Sequence, residues 1–197
     1  MERLLRVLGV GRWVREFLEN VGGSDGPQRI LDVGCGGGWV FDEIARAKPE
    51  ATLVGLDRSV SVLRLARARR RPARVRWLLG DAAGLPVRSH SVDVVISTMT
   101  LHHLDLDGAA LFFRECDRVA KLGWYACDLR RNPLTRFLVR LGVRLSTRNP
   151  VSLHDGPASA REAFSWKQWT RLAREAGGAR VRLRRRGCIA AEVRKGG

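Results

Sequence analysis

An α/β fold built on a doubly wound, mostly parallel sheet with a C-terminal antiparallel hairpin is what the sequence predicts, on three observations. Short apolar runs bounded by turn residues alternate with stretches of helical period, the pattern of parallel strands covered by helices on both faces. The first run ends in an acid and then in glycines, "ILDVGCGGGWV" from Ile30 to Val40, which reads as a tight strand-to-helix turn. The last two runs are divided only by a short stretch around Arg186-Gly187, close enough for a hairpin.

Taken in order, Leu4, Leu5, Leu8, Trp13, Val14, Phe17 and Leu18 recur at three- and four-residue steps and predict an amphipathic helix over residues 2–19. "GGSDGP" breaks it. Strands follow at Arg29–Val33, Thr52–Leu56, Val75–Leu79, Val92–Ser97 and Trp124–Asp128, with helices at Val40–Ala47, Val60–Arg70 and Gly108–Ala120 between them. An apolar helix carrying Leu134, Phe137, Leu138, Leu141 and Leu145 comes next, suited to walling an apolar pocket. Residues 146–164 have no sustained period and are expected to form a long loop, either functional or disordered. A helix at Ser165–Ala176 and strands at Ala179–Arg185 and Cys188–Val193 complete the chain. We expect one domain over residues 1–197: a capping helix (1–20), a ligand-binding core (28–130), an acceptor-side helix and loop (131–164), and the final helix and hairpin (165–197).

Composition narrows the function classes. With 197 residues, 45% of them hydrophobic, the chain can bury a core without disulfides or metal. No apolar run reaches the ~18 residues of a membrane span, and Arg6, Arg12, Arg15 and Glu16 interrupt the region where a signal peptide needs its apolar centre, so a cytoplasmic location is expected. Cys35, Cys116, Cys127 and Cys188 are scattered without CxxC pairs or a nearby histidine at metal spacing, which predicts reduced thiols and no metal site. The net charge of +16 raises the possibility of a nucleic-acid partner. The excess is nearly all arginine, densest in "RLARARRRPARVR" and "ARVRLRRRG", and a solvated face is favoured over an RNA surface.

The glycine turn discriminates between ligands. Its glycines at Gly34, Gly36 and Gly38 give GxGxG, and Trp39 stands where a dinucleotide fingerprint requires a small residue. Asp57 ends the second strand in "LVGLD", where a carboxylate can accept both hydroxyls of a ribose. Asp81-Ala82 in "GDAAGLP" ends the third, beside the same crevice, where a side-chain acceptor can take an exocyclic amine. Asp32, just ahead of the glycines, suits a cationic ligand. Features at consecutive strand ends therefore describe a cationic nucleoside better than a pyrophosphate.

With "ILDVGCGGG", "LVGLD", "GDAAGLP" and "SVDVVISTMTLHHL" in this order and spacing over residues 28–130, the sequence resembles the class I S-adenosylmethionine-dependent methyltransferases, in particular the methyltransferase type 11 group. The resemblance implies a Rossmann-like fold and S-adenosylmethionine as cofactor. It places Gly34, Gly36 and Gly38 against the methionine part, Asp57 on the ribose, Asp81 and Ala82 at the adenine, and Ser97 and Thr98 beside the methionine. Asp32 and Cys35 lie inside the same motifs and Arg58 directly follows Asp57, and all three are grouped with them as cofactor-binding. The sequence departs from the family at the proline–glycine–glycine turn before the fifth strand, where it has "VAKLGWYACD".

The acceptor is less constrained. Neither the amino-directed nucleic-acid motif nor a cysteine after proline is present, so a small molecule is favoured and an RNA-directed methyltransferase is the alternative. "DLRRNPLTRFLVRLGVRLSTRNPVSLHDGPASAREAFS" resembles methyltransferases encoded beside type III polyketide synthases, which implies a phenolic or alkylresorcinol-like acceptor. Deprotonating a phenol calls for a base near neutrality, and His154 beside Asp155, His102 and His103 are the candidates. Arg161 or Arg131 could steady the developing phenolate.

Overall fold

The computed structural model describes residues 9–22, 28–69, 75–146, 150–177, 181–186 and 190–195. Helix α1 (Val10–Asn20) buries Val10, Trp13, Val14, Phe17 and Leu18, the face its spacing predicts. Leu4, Leu5 and Leu8 lie outside the described residues. Strand β1 (Arg29–Val33) leads through the glycine turn to α2 (Phe41–Ala47), then β2 (Thr52–Asp57), α3 (Val60–Ala68) and β3 (Val75–Leu79). Strand β4 (Val92–Thr98), a 3₁₀ turn at Leu101–His103, α4 (Leu106–Val119) and β5 (Ala120–Leu129) follow. The chain continues as α5 (Pro133–Ser146), α6 (Pro150–Glu162), α7 (Trp166–Glu175), β6 (Val181–Arg186) and β7 (Ala190–Lys195).

The seven strands form one sheet in the order β3-β2-β1-β4-β5-β7-β6. Strands β1 to β5 pair in parallel, and β7 joins both β5 and β6 antiparallel, as the expected closing hairpin. Alternation along β1 divides the core, with Ile30 packing among α1, α2 and α3 while Leu31 and Val33 face α4 and α7. Strand order reverses between β1 and β4, and in open α/β sheets the crevice at such a switch point receives the ligand.

The missing proline–glycine–glycine turn has a structural answer. β5 starts at Ala120, directly after α4, and its pairing with β4 slips between Val92–Ala120 and Val94–Gly123. One extra residue in β5 is absorbed as a bulge, so no separate turn is needed.

Two sequence expectations are corrected here. Residues 146–164 do not form a long loop, since Pro150–Glu162 is the helix α6. Its buried positions Gly156, Ser159, Ala160 and Ala163 follow the helical i, i+3, i+4, i+7 spacing, but small residues carry no hydrophobic signal, and Pro157 inside the helix reads as a breaker. The second correction concerns α5. Its inward positions are Thr135, Val139 and Val143, with Leu138 partly buried, whereas Leu134, Phe137, Leu141 and Leu145 are on the surface and do not border the cleft at the switch point.

Candidate active site

The glycine turn is fastened to β2. The N–H groups of Gly34 and Cys35 both donate to the Leu56 carbonyl, at 2.8 and 2.9 Å, and Gly38 N–H donates to Cys35 C=O at 2.7 Å. Gly34 (φ +70°) has no room for a side chain, because a Cβ there would lie 2.2 Å from Thr100 Oγ1. Gly36 (φ +51°) faces open space instead. The same turn thus closes on β4 through one glycine and leaves a cradle at the next.

Asp57 organises the cradle. Its Oδ2 accepts from Gly36 N–H at 3.0 Å and its Oδ1 from Ser59 N–H at 2.9 Å, while Ser59 caps α3 by accepting from Val62 N–H. Beyond it, Asp81 Oδ1 accepts from Ala83 N–H at 2.8 Å and so fixes the turn after β3. These residues border a cleft of about 460 Å³ whose lining includes Gly34, Gly36, Asp57, Arg58, Asp81 and Ala82, and on the opposite side Met99, Thr100, His103 and Leu104.

Asp32 is buried beneath the turn with neither carboxylate oxygen hydrogen-bonded. Burial, reinforced by the neighbouring Asp57 carboxylate, pushes its carboxyl well above the usual range. An orphaned acid beside a second acid is a place where a positive charge is favoured.

His102 and His103 divide inside and outside. His102 is 7% exposed, and its Nδ1 lies 2.8 Å from Asp128 Oδ1, while its backbone N–H donates to Asp128 Oδ2 at 3.0 Å. Burial opposes the charged ring, yet the Asp128 carboxylate outweighs it and the pKa is raised. His103, its ring centroid 4.1 Å from that of His102, lies on the cleft lining. Desolvation first and the His102 charge second hold its pKa below the ordinary histidine value, with Arg58 pushing the same way.

The other candidates are distributed differently. Ser97 and Thr98 are buried behind the cleft, and the Ser97 hydroxyl donates to Val33 C=O at 2.9 Å. Cys35 is buried with its Sγ towards Gly55, and Gly38 packs on the Phe41 and Trp77 rings, so both shape the turn from its core side. Trp39 is likewise a core residue. His154 stands on α6 with its side chain 80% exposed, 3.3 Å from Asp155 Oδ1, and Arg161 points to a separate surface hollow between α5 and α6. Neither borders the cleft. Arg131 donates to Gln168 Oε1 at 3.0 Å. Cys188 lies outside the described residues, while Cys35, Cys116 and Cys127 are buried.

Met99, Thr100 and Asp128 were not singled out from the sequence. Met99 has φ +57°, and a left-handed conformation at a non-glycine leaves no trace in residue type. Asp128 could have been found, because it ends β5, the neighbour of the strand that leads into His102.

Residues 30–123 match the family model described as a methyltransferase domain. A demethylmenaquinone methyltransferase of Roseiflexus sp. is 31% identical over 180 residues, covering 85% of this chain and 75% of that protein. This chain belongs to the class I S-adenosylmethionine-dependent methyltransferases. A malonyl-[acyl-carrier protein] O-methyltransferase of Hahella chejuensis is 35% identical over 115 residues, which span 58% of this chain but only 40% of that longer protein. Among solved structures, the plantazolicin methyltransferase BpumL in complex with S-adenosylhomocysteine superposes with a TM-score of 0.71 at 13% identity, over 97% of this chain and 83% of that one, a likeness of fold.

The cofactor of this methyltransferase is S-adenosylmethionine, and the cleft fits it. The open space at Gly36 and the unpartnered carboxyl of Asp32, buried beneath the turn, fit a ligand whose methionine part bears an ammonium and is joined to its adenosyl group through a sulfonium.

Proposed function

We propose that this methyltransferase acts on a hydroxyl of a small aromatic or lipid-like acceptor, a phenol fitting best, with His103 as general base. The observation that carries the reading is the histidine pair: His103 on the cleft lining with a depressed pKa, and His102 clamped to Asp128 behind it. An imidazole kept neutral at physiological pH is ready to take a proton. His102 does not do the same, since it is buried and does not border the cleft.

When bound, S-adenosylmethionine supplies a sulfonium methyl open to nucleophilic attack. The chain contributes the rest. Asp57 keeps lone pairs free for the ribose hydroxyls, Gly36 leaves room for the backbone-hugging part of the ligand, Asp81 and Ala82 border the adenine, and Asp32 answers the ammonium. Gly34, Cys35, Gly38, Ser97 and Thr98 hold the shape of the turn from behind. Residues 28–130 thus carry the cofactor cleft, and its side bordered by Met99, Thr100, His103 and Leu104 is the acceptor's. His103 receives the phenolic proton as the oxygen becomes nucleophilic, and orientation of the two reactants supplies most of the acceleration.

The relatives' names support a small-molecule class, one being a demethylmenaquinone methyltransferase and another a malonyl-[acyl-carrier protein] O-methyltransferase. The test is transfer of labelled methyl to an alkylresorcinol-type phenol. His103→Ala is expected to lower turnover by roughly 10²-fold or more with S-adenosylhomocysteine affinity unchanged. His154→Ala should have no effect. Label appearing in bulk RNA and not in the phenol would move the reading to the arginine-rich surface and nucleic acid.

A further inference from the structure

The outward side of α5 has a composition that packing does not account for. Leu134, Phe137, Leu141 and Leu145 are 48%, 62%, 43% and 79% exposed, and at 100° per residue they fall within an arc of about 80°. Arg136, Arg140 and Arg144, each four residues apart, form a second exposed arc of similar width directly beside it. Contiguous apolar exposure on a soluble surface marks an interaction site, and a flanking file of arginines specifies the charge of what it meets.

A second observation points the same way. Between α5 and α6 lies a hollow of about 290 Å³ lined by Pro133, Arg136, Phe137, Arg140, Pro157 and Arg161. Three guanidiniums surround it, and no described carboxylate forms an ion pair with any of them. A cationic hollow beside an exposed phenylalanine suits a phosphate group with an acyl chain running away from it.

We propose that the outer face of α5, with the hollow it shares with α6, docks on the surface of an anionic phospholipid bilayer. The leucines and Phe137 enter the boundary between headgroups and acyl chains, the arginine file lies against phosphates with its stems along the apolar surface, and the hollow takes one lipid phosphodiester. The net charge of +16 draws the whole molecule to such a surface. A protein partner would need an acidic patch around an apolar ridge, whereas an anionic bilayer offers both everywhere. The inner faces of the same two helices, through Val139, Val143, Ala160 and Ala163, pack against Met99 on the cleft lining. Docking would therefore set the acceptor side of the cleft close to the membrane, although the proposal does not depend on which acceptor is used.

The experiment is co-sedimentation of the full chain with vesicles of phosphatidylcholine alone and of phosphatidylcholine mixed with phosphatidylglycerol, at low and high salt. We expect binding to the anionic vesicles only, weakened by salt. The R136Q/R140Q/R144Q variant should lose on the order of 10²-fold in partitioning, at about fivefold per arginine near a charged surface. The L134Q/F137Q/L141Q/L145Q variant should lose binding at every salt concentration. Both should keep the melting temperature and S-adenosylhomocysteine affinity of the original chain. These readouts are independent of methyl transfer, so failure here leaves the proposed reaction untouched. Any of four results would overturn the proposal: no binding to anionic vesicles at low salt; both variants binding like the original; a dimer abolished by the polar stripe, which would make a second copy the occupant; or a fall in melting temperature of the stripe variant, which would mean the chain covers the stripe itself.

Discussion

Replacing Asp57 separates the two tasks its carboxylate performs. In the free protein it accepts two backbone N–H groups, from Gly36 at 3.0 Å and Ser59 at 2.9 Å, and so joins the glycine turn to the start of α3. The site is only partly buried, so water can replace either bond, and each contributes about 1 kcal/mol net. Asp57→Ala should therefore cost roughly 1–2 kcal/mol of stability and Asp57→Asn about half that, since the amide keeps one acceptor oxygen. Affinity should respond more strongly. Charge-assisted bonds to two vicinal hydroxyls are worth roughly 1.5–3 kcal/mol, which corresponds to about 10- to 10²-fold in dissociation constant. Isothermal calorimetry with S-adenosylhomocysteine, paired with urea melts, reads both quantities. If Asp57→Asn binds within twofold of the original chain, the carboxylate is a turn fastener alone and the ribose must be held elsewhere.

Three further expectations follow from the same geometry. Gly34→Ala drives a Cβ into Thr100 at a left-handed residue and should destabilise by roughly 2–4 kcal/mol, whereas Gly36→Ala meets only the left-handed penalty of about 1–2 kcal/mol but should lose cofactor affinity; melts and calorimetry on both variants check the contrast. The pH–rate profile of kcat/KM should rise to a plateau with its midpoint below 6.5, the ordinary histidine value, because desolvation lowers the His103 pKa, and His103→Ala should flatten that limb. Asp128→Asn should shift stability in a pH-dependent way. The raised His102 pKa means the stabilisation from this pair is complete below pH 6.5, the ordinary histidine value, and is lost as pH climbs through the native value, so melts of the two proteins should differ most in acid and converge in alkali.

What the sequence conveys and what it hides follow from how each element earns its place in the fold. Strands β1, β2 and β4 bury branched apolar residues, β5 buries aromatic and small ones and the edge strand β3 is half-buried, all between turn residues, a signal local enough to see, and the hairpin differs from expectation only at its ends. Helix α6 is invisible by that measure. Its inward face is Gly156, Ser159, Ala160 and Ala163, which pack by closeness and not by hydrophobic area, and Pro157 argues against a helix locally while the contact with α5 sustains one. The apolar residues of α5 fail in the opposite direction. Periodicity says that Leu134, Phe137, Leu141 and Leu145 share a face, but it cannot say which face the protein covers, and here Thr135, Val139 and Val143 turn inward instead.

The same distinction decides between the histidines. His154 is conspicuous in sequence because it stands beside Asp155 in a stretch without pattern, yet two neighbours along a helix do not face one another across a site, and this pair is open to water with the histidine side chain 80% exposed. An ion pair in water is screened and contributes little. His102 and Asp128 are 26 residues apart and come together only because β4 and β5 are adjacent and parallel, delivering their ends to the same side of the sheet. There the low dielectric that makes burying His102 costly also strengthens its bond to Asp128, and desolvation first and the protonated form of His102 second lower the pKa of the His103 ring 4.1 Å away. A base is thus made by topology, with one histidine bound to a carboxylate inside and the next, its pKa lowered, at the cleft.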